Sequence, residues 1–213
     1  MLNFRPLDTI RKIHLYFQKK TFEHVWHHQE QKHHAEHSKK ISILLTRFPD
    51  RGSRIISLLT GFYYTHASIG LPEEQDTYYS FVRKGFIVEK ASRYIRPNWE
   101  PLPCQLYEIP VSEETYHHIK NLLHSFVERK PSLQYSNLGV FLSLCRIRHK
   151  RQDRYFCSQF VAEILKETRA AHLKKDPSLC MPKDLSRLPS NNLIFQGTLP
   201  EMIHSFGIHI KTT

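Results

Sequence analysis

The sequence predicts an α+β domain over residues 41–199, built on an antiparallel sheet. Three observations predict it. Short β-rich runs bounded by turn residues fill most of residues 41–111. The clearest helical periodicities come afterwards, over 111–131 and from Cys157. The apolar fraction of 40% is that of a globular chain. Strands and helices therefore fall in separate runs.

Residues 1–40 read as a helical, histidine-rich, basic extension. DTIRKIHLYFQKK sets Ile10, Ile13 and Phe17 at helical spacing, with Asp8 or Thr9 as the cap. FEHVWHHQEQKHHAEHSKK contains no Gly or Pro and no continuous apolar stripe, so it reads as exposed. ISILLTRF (41–48), ending at Pro49, is a buried strand. DRGSRIISLLTGF (50–62) offers turn residues, then a short helix closed near Gly61. YTHASIGL (64–71) and TYYSFVRK (77–84) form a hairpin through the loop PEEQD. GFIVEKA and CQLYEIPV follow as strands. VSEETYHHIKNLLHSFVERKP (111–131) is the clearest helix: Ser112 caps it, glutamates fill its first turn, and Tyr116, Ile119, Leu123 and Phe126 line one face. NLGVFLSLC (137–145) is a shorter apolar segment. RYFCSQFVAEIL opens a helix at Cys157, with Phe160, Val161, Ile164 and Leu165 on one face. NLIFQGTL (192–199) reads as the last strand, and residues 200–213 as a tail.

The 213 residues suffice for one domain with a real core. No apolar run is long enough to span a bilayer. The N-terminus lacks an apolar h-region, so cytoplasm is the expected compartment, with a membrane-peripheral place left open. Cys104, Cys145, Cys157 and Cys180 are scattered, with no CxxC pair, and read as free thiols. The net charge of +11 favours anionic partners without choosing among them. No RNP-type motif, zinc finger or helix-turn-helix supports nucleic acid as the partner.

Cys157 stands where a helix should begin, where unpaired N–H groups and the dipole favour a thiolate. Its own N–H is a candidate donor to an oxyanion. A cysteine hydrolase also needs a base. Among fifteen histidines, His66 differs because it lies within a strand, a rigid mount. It shares a face with Ser68 and Gly70, away from the apolar Thr65, Ala67, Ile69 and Leu71. The plain alternative is equally physical: Cys157 fits the buried helix face, and free cysteine is among the most buried residue types.

The stretches ILLTRF, SRIISLLTGFYYTHASIGL, TYYSFVRK and YFCSQFVAEIL, in this order, resemble the permuted papain-like cysteine hydrolases of the NlpC superfamily, the YiiX/YaeF-like group. Similar patterns recur in lecithin retinol acyltransferase-like proteins. The resemblance covers about residues 41–199. It implies a circularly permuted papain-like fold, with an antiparallel sheet packed against the nucleophile helix and the histidine strand ahead of it. It implies Cys157 as nucleophile, His66 as base, and no cofactor. In many relatives a Glu on the strand after the histidine strand orients the imidazole. Here that position reads as Ser80: if Leu71 pairs with Thr77, Ser68 faces Ser80 and His66 lies one step diagonal. A neutral orienter stabilises an imidazolium less than a carboxylate does. Glu89 ranks behind Ser80, as a substitute if its strand folds back over the site. Tyr155 is a candidate hydroxyl for the oxyanion, and Arg83 a candidate contact for an acidic substrate group.

The implied chemistry is acyl transfer through a thioester, on a peptide- or lipid-linked amide or ester. The rival reading is a catalytically inactive papain-like scaffold that binds an anionic membrane or acidic polymer, suggested by Ser80 in place of a carboxylate. Two further features bear on partners. NLGVFLSLC followed by RIRHKRQDR joins an apolar segment to a basic one, a pattern that suits an anionic membrane. His27, Glu30, His34 and His37 would share one helix side, with His33 and His37 as an i, i+4 pair. One helix seldom completes a metal site, so no metal is expected there.

Overall fold

The computed structural model describes residues 39–95 and 99–208. The histidine-rich extension and its metal pattern lie outside them. The described residues hold a six-stranded sheet whose neighbouring strands all run antiparallel. Its strands are β1 (Lys39–Thr46), β2 (His66–Gly70), β3 (Thr77–Val82), β4 (Gly85–Lys90), β5 (Pro103–Val111) and β8 (Asn192–Thr198), in the spatial order β4-β3-β2-β1-β5-β8. A short parallel pair, β6 (Gln134–Tyr135) with β7 (Arg154–Tyr155), stands apart. The helices among the described residues are α1 (Arg51–Thr60), α2 (Glu113–Glu128), α3 (Asn137–Leu144), α4 (Cys157–Glu167), α5 (Pro182–Leu185) and α6 (Leu199–Ser205).

Both faces of the sheet are covered, which explains why β1 is an apolar run rather than an alternation: Ile41 through Thr46 are all buried. One face, carrying Ile41, Ile43, Leu45, Ala67, Ile69 and Phe81, packs against α2 and α4. Phe81, Phe126 and Phe160 interlock there, with ring centroids 4.9–6.3 Å apart. Each such fully buried side chain contributes about 1.5–3 kcal/mol. The other face carries Leu44, Tyr78, Cys104 and Leu106 and is covered by α6 and a 3₁₀ turn at Ala91–Tyr94.

Local signals account for the helix ends. Ser112 accepts from Thr115 N at 3.1 Å and starts α2, which buries the expected Tyr116, Ile119, Leu123 and Phe126. Asp50 caps α1, and Gly61, at φ 61°, closes it. Two boundaries differ from expectation. The sheet begins at Lys39, because Lys39 and Lys40 still pair with Val111 and Pro110. The supposed tail from residue 200 instead opens within the helix α6, which buries Leu199, Met202 and Ile203 against the second face. Among the described residues, no helix is long and apolar enough to cross a membrane.

Candidate active site

Cys157 is the first residue of α4, and its helix buries eight side chains, Cys157 and Phe160 among them. Phe156, the N-cap, is extended and offers no side-chain cap. The helix's first N–H groups are therefore left for other acceptors. The N–H groups of Ala67 and Ser158 lie close enough to the Cys157 sulfur to favour its thiolate. The Thr65 carbonyl lies 4.0 Å from it. Ala67 and Thr65 flank His66 at the start of β2, so the strand that delivers the imidazole also holds the thiol.

On its Cys157 side, His66 lies close enough to the thiol for each group to favour the other's charged form. On the other, its Nε2 lies 3.1 Å from Glu89 Oε1, with both side chains buried. Glu89 is itself held by two hydroxyls: Ser68 donates to Oε1 at 2.5 Å and Tyr94 donates to Oε2 at 2.7 Å. Phe48 packs edge-on against both the His66 and Tyr94 rings, each at 5.2 Å. The 3₁₀ turn that delivers Tyr94 is pinned by Asp76, whose carboxylate takes the N–H and hydroxyl of Ser92.

The protonation pattern follows from this chain. Burial opposes a charge on His66, but the Glu89 carboxylate and the contacts with Cys157 and Glu89 outweigh it and push the imidazolium up to about 10. Burial likewise opposes ionisation of Glu89, yet His66 and the donors around it hold its carboxyl below the usual range. Cys157 is drawn down against its own burial by His66 and the Ala67 and Ser158 N–H groups. Cys104 and Cys180 lack such partners, and burial pushes each up to about 12. Among the buried cysteines, the thiol at the helix start is thus the one whose ionisation its surroundings favour.

The geometry corrects the expected orienter. The anticipated register is present, with Ile69 opposite Tyr79 and Gly70 opposite Tyr78. Just past those pairs, however, the Ser80 hydroxyl donates to Ala67 O at 2.7 Å. A buried carbonyl there requires a donor, and Ser80 is spent on it. Glu89 meets His66 instead. Its position was legible in the β3–β4 hairpin: the two-residue turn Arg83–Lys84 places Glu89 opposite Tyr78, on the face shared with Ser80.

Tyr155 is half-buried and packs against the core. Its ring packs at 5.2 Å from Phe81 and 5.6 Å from Phe126, and burial, then the nearby charges of Glu163, Lys150, Arg129 and Asp153, govern its hydroxyl. The tyrosine beside the thiol is its strand partner, Tyr135. Burial first, and the Cys157 charge second, raise the Tyr135 hydroxyl, while Arg83 opposes them. Arg83 also acts on Asp50, the cap of α1, so it lies at the site's margin with Tyr135 and the start of α1. Tyr135 and Tyr94 are the participants that sequence reasoning missed. Each sits in a segment whose place beside the site is set by tertiary pairing. Among the described residues, no group of three His, Cys, Asp or Glu side chains stands close enough to hold a metal ion.

No family model and no curated protein matches the sequence. Among solved structures it is similar to one described as the metalloprotein yiiX, DUF1105, from Escherichia coli O157:H7, with 11% identity and a TM-score of 0.46 over 75% of this chain and 98% of that one.

Proposed function

We propose that this chain is a cysteine-dependent hydrolase or acyltransferase that cleaves an amide or ester bond through a thioester on Cys157. The observation that carries the reading is the buried relay Cys157–His66–Glu89, with Ser68 and Tyr94 fastened to its far end. The thiolate attacks the carbonyl carbon, and the oxyanion forms against the Cys157 N–H at the open helix start. The His66 imidazolium gives its proton to the leaving amine or alcohol, so the C–N or C–O bond breaks and the thioester remains. Water or another acceptor then attacks, His66 takes its proton, and the thiolate leaves. Glu89 holds the imidazole and balances its charge throughout. Arg83 and Tyr135 are the substrate contacts in this reading. With the histidine strand ahead of the cysteine helix, we read the fold as a permuted papain-like one. The scaffold reading leaned on a missing carboxylate, and Glu89 supplies one.

The test uses an activated ester such as p-nitrophenyl acetate with the full chain. A burst of nitrophenolate, with an acetyl adduct mapped to Cys157, supports the proposal. Cys157→Ser should abolish both, and His66→Ala should suppress both. Acylation of Cys157 no faster than of the exposed Cys145 sinks it.

A further inference from the structure

Two helices turn their apolar sides outward. On α1, the solvent face is Arg51, Arg54, Ile55, Leu58 and Leu59, spaced i, i+3, i+4, i+7 and i+8, while the buried residue is Ser53. Leu58 is 83% exposed and Leu59 63%. On α3, the buried residues are Gly139 and Ser143, while Leu138 and Phe141 are 50% and 63% exposed. A surface helix ordinarily does the reverse. The two C-terminal ends border one cavity of about 640 Å³, lined in part by Leu59, Leu144, Arg146, Lys183 and Arg187. Lys183 Nζ donates to Thr60 O at 3.2 Å and ties the end of α1 to that cavity.

Charge decides what covers this face. Arg51 and Arg54 lie on the same stripe as the exposed leucines. Past α3, Arg146, Arg148, Lys150 and Arg151 are all exposed, with Ile147 exposed among them. A second copy would set the same arginines against each other, so like charge opposes a homodimer here. Apolar side chains rimmed by guanidinium groups match an anionic bilayer, whose acyl boundary takes the first and whose phosphates take the second. We propose that the α1/α3 face is a docking surface for anionic membrane. Leu58, Leu59 and Phe141 enter the interface, and the arginines stay at headgroup level. This docking rests on no step at Cys157, so it stands or falls apart from the thiol chemistry.

The test is co-sedimentation of the full chain with vesicles of phosphatidylcholine alone or with about one quarter phosphatidylglycerol. The expected result is binding to the anionic vesicles that weakens as salt rises, and at least about tenfold weaker binding to neutral ones. Leu58→Glu with Phe141→Glu should lower the anionic-vesicle affinity at least about tenfold, with melting and thiol alkylation unchanged. If that pair shifts melting, Leu58→Ser with Phe141→Ser replaces it, with the same direction expected. Wild-type affinity retained in the variants overturns the proposal and assigns any binding elsewhere in the chain. So does absence of vesicle binding, and so does a wild-type dimer, seen by sedimentation velocity, that the substitutions disperse.

Discussion

Replacing Glu89 by Gln removes the carboxylate charge and keeps its shape. The carboxylate is buried, 3.1 Å from His66 Nε2, with Ser68 and Tyr94 donating to its two oxygens. Both hydroxyls can turn to accept from an amide, so the packing should survive. What is lost is the attraction to the imidazolium. Opposite unit charges about 4 Å apart at an effective dielectric of about 20 attract by about 4 kcal/mol. At about 1.4 kcal/mol per pH unit, that bounds the change at about 3 units. Relaxation around the amide offsets part of it, so the imidazolium should fall from about 10 to about 8. The thiolate–imidazolium pair then weakens relative to the neutral pair by about a hundredfold. The assay is the rate of iodoacetamide alkylation of each cysteine against pH, read by peptide mapping. Because limited access scales the rate without changing its pH profile, the profile is the readout. In the wild type, Cys157 should react well below the free-thiol range of about 8.5. In Glu89→Gln, the inflection that follows His66 deprotonation should move down by about two pH units, from about 10 to about 8, with Cys145 as the exposed control. Superimposable Cys157 profiles in the two proteins would refute the electrostatic argument.

Three other outcomes are expected. Ser80→Ala should cost about 1–2 kcal/mol by leaving Ala67 O without its donor, yet leave the Cys157 alkylation profile within about twofold; a profile that moves as far as in Glu89→Gln would restore Ser80 as the orienter. In Cys157→Ser, His66 and Glu89 titrate without the thiol. Glu89 still raises His66 above its ordinary 6.5, so that stabilisation is full below that pH and is lost as pH rises through the raised value, whereas the Glu89 contribution is present above 4.5 and is lost as pH falls. Melting temperature should therefore decline as pH rises above 6.5, and adding Glu89→Gln should move that decline to lower pH. Gly85→Ala should destabilise by at least about 2 kcal/mol, since φ is 99° there and a methyl would meet the Leu133 carbonyl oxygen; urea unfolding measures it.

What the sequence determined by itself was local or periodic. Caps and spacing placed α2 from Ser112 with its buried face correct to the residue, and the apolar run ISILLT marked a strand covered on both sides. The hairpin register around PEEQD followed from pairing Leu71 with Thr77, and the outcome agrees at Ile69–Tyr79. Cys157 at a helix start and His66 on a strand were equally readable, because cap chemistry and alternation act over a few neighbouring residues. Tertiary structure alone decided the rest. Ser80 and Glu89 share a sheet face, but only the folded chain shows the Ser80 hydroxyl taken by Ala67 O and the Glu89 carboxylate reaching the imidazole. Tyr155 and Tyr135 pair in adjacent short strands and both pack against the core half-buried, yet one sets its ring beside Phe81 and Phe126 and the other feels the thiol. The outward apolar faces of α1 and α3 belong to the same class: a helical stripe fixes which residues stand together, while its neighbours decide whether that stripe turns in or out. Such choices are made among competing partners far apart in the chain, where burial, charge and unpaired donors are weighed together, and no local pattern records the result.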